Sequence, residues 1–231
     1  MCIRAFLWLG LFLLPVLAQG GTPAALLQLG EFEAAWSQGR ASENLADLAA
    51  AAEAANLMAQ YRARGDAERR VWLERAQQAA RRAMRLFPDA AEGHYQLAHA
   101  QAEVIRLVGV LAKLGLASKI KEGLDRALSL DRDHPRALMG LALWHLQLAG
   151  RGFGWLYGAS LGAVVPLFER AVALAPENIE IRKNYGFALI ELGRARKARG
   201  QLEQALALSA RSEPDRLHQA RARALLAGLG R

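Results

Sequence analysis

The fold is decided by a short stretch, Arg170-Ala-Val-Ala-Leu-Ala-Pro176, which recurs in altered form at three other places in the chain. In each copy an alanine is followed by alternating apolar residues and then by a helix breaker or its substitute. The other copies are Arg82-Ala-Met-Arg-Leu-Phe-Pro88, Arg126-Ala-Leu-Ser-Leu-Asp-Arg132 and Gln204-Ala-Leu-Ala-Leu-Ser-Ala210. Their alanines are 44, 44 and 34 residues apart. Self-similarity of this kind predicts stacked structural repeats.

The shortest spacing identifies the type of repeat. A period near 34 is typical of the tetratricopeptide repeat (TPR), in which each unit is a pair of antiparallel helices. The last unit fits best, because the small residues Gly186 and Ala198 stand where two helices must approach closely and Gly193 stands at the turn between them. We therefore predict an all-α, TPR-like solenoid of helical hairpins that forms a right-handed superhelix.

The composition supports helices and excludes strands. The chain has 231 residues, of which 53% are hydrophobic, and its formal net charge is +8. It contains 8 Val, 6 Ile and 1 Thr, too few β-branched residues for an all-β or parallel-sheet domain.

The first residues have the layout of a signal peptide. Arg4 is followed by an uncharged apolar run over residues 5–17, which is short for the ~20 residues that a membrane-spanning helix needs. We predict cleavage after Ala18 and a periplasmic or secreted protein, with no transmembrane segment after cleavage; retention of the run as an anchor is the alternative. The only cysteine, Cys2, would be removed, which excludes disulfides from the mature chain.

The predicted organisation has four parts. Residues 1–18 form the signal peptide, and residues 19–64 form N-terminal capping helices and the first repeat helix. Residues 65–210 form the solenoid, and residues 211–231 form a C-terminal capping helix. Terminal units of a solenoid need one polar face.

Two repeats exceed the 34-residue period by about 10 residues each. The additional residues fall between the two helices of a hairpin, near 105–117 and near 150–162, and both stretches are apolar and contain glycine. They either form an exposed interaction or oligomer surface or pack as an extra layer of core. The candidate surface residues are Leu107, Val110, Leu114, Phe153, Trp155 and Tyr157.

From about Leu111 to Leu229 the chain resembles the regulator of microtubule dynamics family. The resemblance rests on residues 119–131, on His134-Pro135, on Gly140-Leu-Ala-Leu-Trp144 and on Trp155 in the second insertion. The layout is also similar to that of bacterial periplasmic TPR proteins associated with TRAP transporters. Both resemblances imply an adaptor or a ligand-binding scaffold, and neither supplies a catalytic motif. A microtubule link does not transfer to an exported chain.

The first helix of each hairpin lines the concave face in such repeats. The repeat register places on that face an apolar trough with one cation at its rim, suited to an extended peptide or to an amphiphile with a negative head, unless a terminal helix covers it. The candidate groove residues are Tyr95, His99, Met139, Leu143, Leu146, Lys183, Phe187 and Ile190.

Other chemistry has little support. The motif Gly158-Ala-Ser160-Leu-Gly162 matches G-x-S-x-G, but a nucleophile elbow needs a preceding strand, and a helix N-cap by Ser160 is the simpler interpretation. His94 and His99 differ by five and do not share a helical face as a metal pair would. We predict no metal, no cofactor and no nucleic-acid partner.

The function we predict is therefore that of an exported, non-enzymatic scaffold that binds a protein or peptide partner through its groove or its insertions, with self-association through the insertions as one form. The alternative is a periplasmic binder of a small apolar or anionic ligand associated with a transporter. A serine hydrolase at Ser160 is a remote third.

Overall fold

The computed structural model describes residues 21–230, apart from the side chains of residues 110 and 111, so the predicted signal peptide lies outside the described residues. Helices account for nearly all regular structure, and no strand occurs within residues 21–230. This confirms the all-α prediction. The helices are α1 (Pro23–Leu29), α2 (Phe32–Gly39), α3 (Leu45–Leu57), α4 (Asp66–Leu86), α5 (Ala91–Val104), α6 (Val110–Leu130), α7 (Pro135–Ala149), α8 (Gly154–Tyr157), α9 (Val164–Leu174), α10 (Ile179–Glu191), α11 (Ala195–Ala207) and α12 (Glu213–Gly228).

Four antiparallel hairpins form the body: α3 with α4, α5 with α6, α7 with α9, and α10 with α11. The alanines of the repeated stretch, Ala83, Ala127, Ala171 and Ala205, lie at the helix contacts and are at most 1% exposed. A Cβ added to Gly186 would lie 2.6 Å from Leu202, so α10 and α11 pack closely only because residue 186 has no side chain. Gly193, with φ +70°, terminates α10 as predicted.

Local sequence signals set the helix boundaries. Asn44, Asn178 and Ser212 accept backbone N–H groups in the first turns of α3, α10 and α12. Helix α4 ends at Leu86, with Phe87 as its cap, because the residue before Pro88 disfavours the helical conformation. A π-helical turn, Met58–Arg62, extends α3.

The first helices of the hairpins form a closed ring together with α12 and α1. Helix α3 packs on α5, α5 on α7, α7 on α10 and α10 on α12, while α12 also contacts α1, which packs on α3. The C-terminal helix therefore does more than cover the last hairpin, since it joins the two ends of the solenoid. The concave side of the repeats becomes the interior of this ring.

The two insertions differ in structure. The first forms a short 3₁₀ turn, Ile105–Leu107, breaks near Gly109 and then lengthens α6 at its N-terminal end. The second forms the short helix α8 and a 3₁₀ turn, Leu161–Ala163. They meet where the Tyr157 hydroxyl donates to the Leu114 carbonyl at 3.1 Å.

Candidate functional site: the polar centre of the ring

The interior of the ring is lined by charged and polar side chains, which we call the polar centre. They come from α3, its π-helical extension, α5, α7, α10 and α12. The polar centre comprises Glu53, Asn56, Gln60, Tyr61, Glu92, Tyr95, Gln96, His99, Arg136, Glu180, Lys183 and His218.

Arg136 is the hub of this cluster. Its Nη1 lies 2.7 Å from Glu53 Oε2 and 3.9 Å from Glu92 Oε1, and its Nε lies 3.3 Å from Glu180 Oε2. Its guanidinium also stands 4.9 Å from the centroid of the Tyr95 ring. One cation thus links helices α3, α5, α7 and α10.

The repeat supplies three of these charges from one position. Glu92, Arg136 and Glu180 are each the second residue of their helix and are 44 residues apart. Equivalent positions of stacked repeats lie side by side. Arg136 therefore lies between Glu92 and Glu180 and attracts both carboxylates.

Glu92 is held in its charged form. His134 Nδ1 accepts the N–H of Ala137, so its Nε2 carries the proton and donates to Glu92 Oε2 at 2.9 Å. Burial would raise the pKa of Glu92, but the His134 hydrogen bond and the Arg136 charge outweigh it and lower that pKa to about 2.

Glu180 and Lys183 lie one helical turn apart on α10. Burial would raise the pKa of Glu180, but the charge of Arg136 lowers it to about 2. Lys183 is 7% exposed, and burial lowers the pKa of its ammonium despite the charge of Glu180. No hydrogen bond or ion pair to Lys183 is formed within residues 21–230.

His218 brings the last helix into the centre. The Tyr61 hydroxyl lies 3.1 Å from His218 Nδ1, and the two rings meet edge to face. Burial, reinforced by the Lys183 charge, lowers the pKa of His218 to about 3, so the ring is neutral. Burial also raises the pKa of Tyr61.

Some buried polar atoms of the centre have no hydrogen-bond partner in the described part of the chain. The Tyr95 hydroxyl and the Gln96 Oε1 atom are two of them, on residues 1% and 0% exposed. Buried polar groups are normally paired, so such atoms need an explanation.

Comparison with known proteins agrees with this architecture. Over residues 32–230 the sequence matches the family described as regulator of microtubule dynamics protein 1-3. The chain belongs to this family. This confirms the resemblance predicted above and extends it towards the N-terminus. A search of curated protein sequences found no significant match.

Solved structures support the TPR-like fold. A thermophilic TPR protein of Thermus thermophilus, TTC0263, has a TM-score of 0.63 at 17% identity, over 87% of this chain and 97% of its own. MamA has a TM-score of 0.43 at 16% identity, over 83% and 92%. YrrB, described as a TPR protein with an unusual peptide-binding site, has 0.38 at 17% identity, over 86% and 90%. At 17% identity, the likeness to the Thermus thermophilus protein shows the fold alone.

The predicted groove residues divide into two groups. Tyr95, His99 and Lys183 belong to the polar centre, where the rings of Tyr95 and His99 stack with centroids 5.8 Å apart. The apolar members instead pack in one hydrophobic cluster around Phe168; they are Met139, Leu143, Leu146, Phe187 and Ile190. Their binding role stays a prediction.

The sequence interpretation missed five titratable residues of the centre: Glu53, Glu92, Arg136, Glu180 and His218. The usable signal was the 44-residue spacing of Glu92, Arg136 and Glu180. His218 had no such signal, because its position depends on ring closure.

The predicted insertion residues also divide. Leu107 packs on the cluster around Trp72. Leu114 and Tyr157 are half-buried, and the Tyr157 ring packs on Trp144. Phe153 is 42% exposed and Trp155 is 84% exposed. Val110 begins α6, and its side chain lies outside the described residues.

Ser160 has a structural role in this fold. Its hydroxyl accepts the N–H of Gly162 at 3.1 Å and caps a 3₁₀ turn, while its own N–H donates to His145 Nδ1 at 3.1 Å. Helix α8, not a strand, precedes it, so the elbow geometry is not formed.

Within 21–230, no group of three His, Cys, Asp or Glu side chains is placed to hold a metal ion. No helix in that range is both long enough and apolar enough to cross a membrane.

Proposed function

We propose that this chain is an exported, non-enzymatic scaffold that binds an extended segment of a protein partner at the polar centre. Stacked helical repeats create concave surfaces suited to such segments. The chain's TPR-like fold and family membership support this class of function. The partner would contact Tyr95, His99 and Lys183 among the predicted groove residues.

One observation carries the proposal: the centre holds buried polar groups that the described part of the chain leaves unpaired. Lys183 is a buried cation without an ion pair, and the Tyr95 hydroxyl and Gln96 Oε1 lack partners within residues 21–230. Burying such groups unpaired costs free energy. A peptide offers a backbone donor and acceptor at every residue, and an acidic side chain would neutralise Lys183.

Access to the centre requires a seam, and the junction of α12 with the N-terminal part provides one. Arg62 Nη2 and Glu213 Oε1 form an ion pair of 3.0 Å across it, with side chains 49% and 23% exposed. An exposed pair of this kind stabilises by ~0–1 kcal/mol. The ion pair itself therefore adds little resistance to opening, but a partner must also separate Leu217 from the apolar cluster of α1–α3 and Tyr61 from His218. His99 is half-buried rather than sealed.

Site-specific photocrosslinking in the native host tests the proposal. A photoreactive amino acid at His99 should form an adduct with a specific protein, and the same residue at the exposed Arg196 should not. Lys183→Met should abolish the adduct, whereas Lys197→Met on the exposed face of α11 should preserve it. The proposal would be contradicted if no protein adduct formed at His99, or if the adduct still formed in the Lys183→Met variant.

The alternative is a carrier of a small anionic or apolar ligand that serves a transporter. The closed ring favours it, because an enclosed centre suits a small molecule better than a long segment. Native mass spectrometry of protein from its own host distinguishes the two. A retained small-molecule mass without a protein adduct would select the carrier.

A further inference from the structure

The second insertion presents an apolar tip to solvent. Trp155 is 84% exposed, and Leu156, Phe153 and Leu161 are 50%, 42% and 42% exposed. These four residues lie within nine positions of the chain and account for half of the large, strongly exposed hydrophobic side chains in the described range. We call them the insertion tip.

The scaffold holds this tip in place. Tyr157 donates to the Leu114 carbonyl at 3.1 Å and packs edge to face on Trp144, whose indole donates to the Ala117 carbonyl at 2.8 Å. A Cβ at Gly154 would lie 2.6 Å from the Ala159 carbonyl oxygen, so the loop closes tightly on itself. Trp155 is therefore exposed on a supported turn.

The surroundings of the tip carry positive charge and almost no negative charge. No Asp or Glu occurs between 134 and 168, or between 104 and 121 in the neighbouring insertion. The exposed cations Arg151 and Lys113 lie in these stretches, and Lys113 adjoins the residue that binds Tyr157. Asp133 and Glu169 flank the first of these stretches, and Glu103 and Glu122 flank the second. Asp133 is paired with Arg170 at 2.7 Å.

We propose that the insertion tip is a contact site for an anionic phospholipid bilayer, with Trp155 and Leu156 at headgroup depth and Arg151 and Lys113 on the lipid phosphates. Tryptophan favours the membrane interface because its ring is apolar and its N–H is polar. Cations near an anionic surface add attraction, which carboxylates would cancel. The proposal is independent of the polar centre.

The same observations disfavour a second copy as the occupant. Two identical tips would bring Arg151 and Lys113 against their own kind, and like charges at an interface oppose association. A projecting turn with one dominant side chain also offers less area than a stable dimer needs, which is ~800 Å² per partner.

The test uses the full chain with a fluorophore at one defined position. Cys2 is replaced by serine, and an environment-sensitive dye is attached through Leu156→Cys or, as the control, through Leu29→Cys, since Leu29 is 70% exposed on α1. Vesicles are pure phosphatidylcholine, or phosphatidylcholine with about a third phosphatidylglycerol. We expect a blue shift at position 156 with the anionic vesicles only, and none at position 29.

Two variants of the labelled chain sharpen the result. Each of Arg151→Glu and Lys113→Glu should weaken the response about fivefold or more, because each replaces a cation at the surface with an anion, whereas Arg196→Glu on α11 should not. The proposal would be overturned if the dye at position 156 showed no shift, or if the shift were equal with neutral vesicles or at position 29. It would also be overturned if neither charge reversal changed the response. A shift with poly-glutamate but not with vesicles would overturn it in favour of an acidic protein partner.

Discussion

The polar centre and the insertion tip place similar residues in opposite surroundings. Tyr95 is 1% exposed at the centre and Trp155 is 84% exposed at the tip. Arg136 ion-pairs with three carboxylates from other helices, while the exposed Arg151 forms no ion pair within residues 21–230. The side chains of the polar centre hold the ring closed, whereas the exposed side chains of the insertion tip are not needed for the fold. Changes at the centre should therefore alter stability, and changes at the tip should leave it intact.

The largest effect should come from acid, and it should arise at the centre. His218 has a folded pKa of about 3 against an ordinary 6.5, so protons bind the unfolded chain preferentially once the pH falls below 6.5. Glu92 and Glu180, with folded pKa values of about 2 against 4.5, lose their stabilising charge as the pH falls below 4.5. All three groups therefore lower the free energy of unfolding as the pH falls. His218 alone should lower it by about 4 kcal/mol near pH 3.

Urea unfolding between pH 7 and pH 3 measures this loss. His218→Gln should remove most of the decline between pH 6.5 and 4.5 and make the decline below pH 4.5 shallower, leaving there the part that belongs to the carboxylates. Stability that is flat down to pH 5 in the parent chain, or an unchanged slope in the variant, would show that His218 is not buried in neutral form.

Two tryptophans on either side of Gly150 give the next contrast. Trp144 is 5% exposed and its indole donates to the Ala117 carbonyl, so Trp144→Ala should lower the free energy of unfolding by about 4 kcal/mol. Trp155→Ala should change it by no more than ~0.5 kcal/mol. Chemical denaturation of both variants measures the pair. Equal losses would mean that the tip is part of the core.

A matched pair of arginines follows. Arg136→Met leaves Glu53 and Glu180 without their buried cation, and we expect a loss of about 3 kcal/mol. Arg151→Met should be nearly neutral, because that side chain is exposed. Thermal unfolding at pH 7 measures both. If Arg136→Met were as stable as the parent, the packing around Glu53 and Glu180 would hold these two carboxylates in place without the arginine.

Much of the fold could be predicted because it is local. The repeated stretch with its alanines, the turn at Gly193 and the helix end before Pro88 depend on contacts between neighbouring helices, which a sequence pattern records. The residues of the second insertion could be recognised from their apolar character, but the sequence left open whether they are exposed or packed, and the exposure of Trp155 had to come from the structure. Burial of its neighbour Tyr157 depends on the length of α6 and was not predictable.

Ring closure could not be predicted because it is not local. The contact of His218 with Tyr61 joins residues 157 positions apart. It depends on the summed rotation of four hairpins, to which each interface contributes a small angle. The sequence interpretation left open a covered trough with apolar walls, but the apolar residues pack between helices and the covered face is charged. Only the register of Glu92, Arg136 and Glu180 could have indicated this.

The smallest loss of stability that distinguishes the two regions should come from removing one hydroxyl group in each. Tyr61→Phe removes the hydroxyl bonded to His218, and Tyr157→Phe removes the one bonded to the Leu114 carbonyl. Each should cost about 1 kcal/mol, because a partly or wholly buried partner is left unpaired. Hydrogen exchange then locates the loss: Tyr61→Phe should speed amide exchange in the first turns of α12, and Tyr157→Phe should speed it in α8 and the start of α6. Faster exchange in α12 with the second variant would mean that the insertion and the ring seam open together, whereas separate patterns would establish that the tip moves without opening the ring.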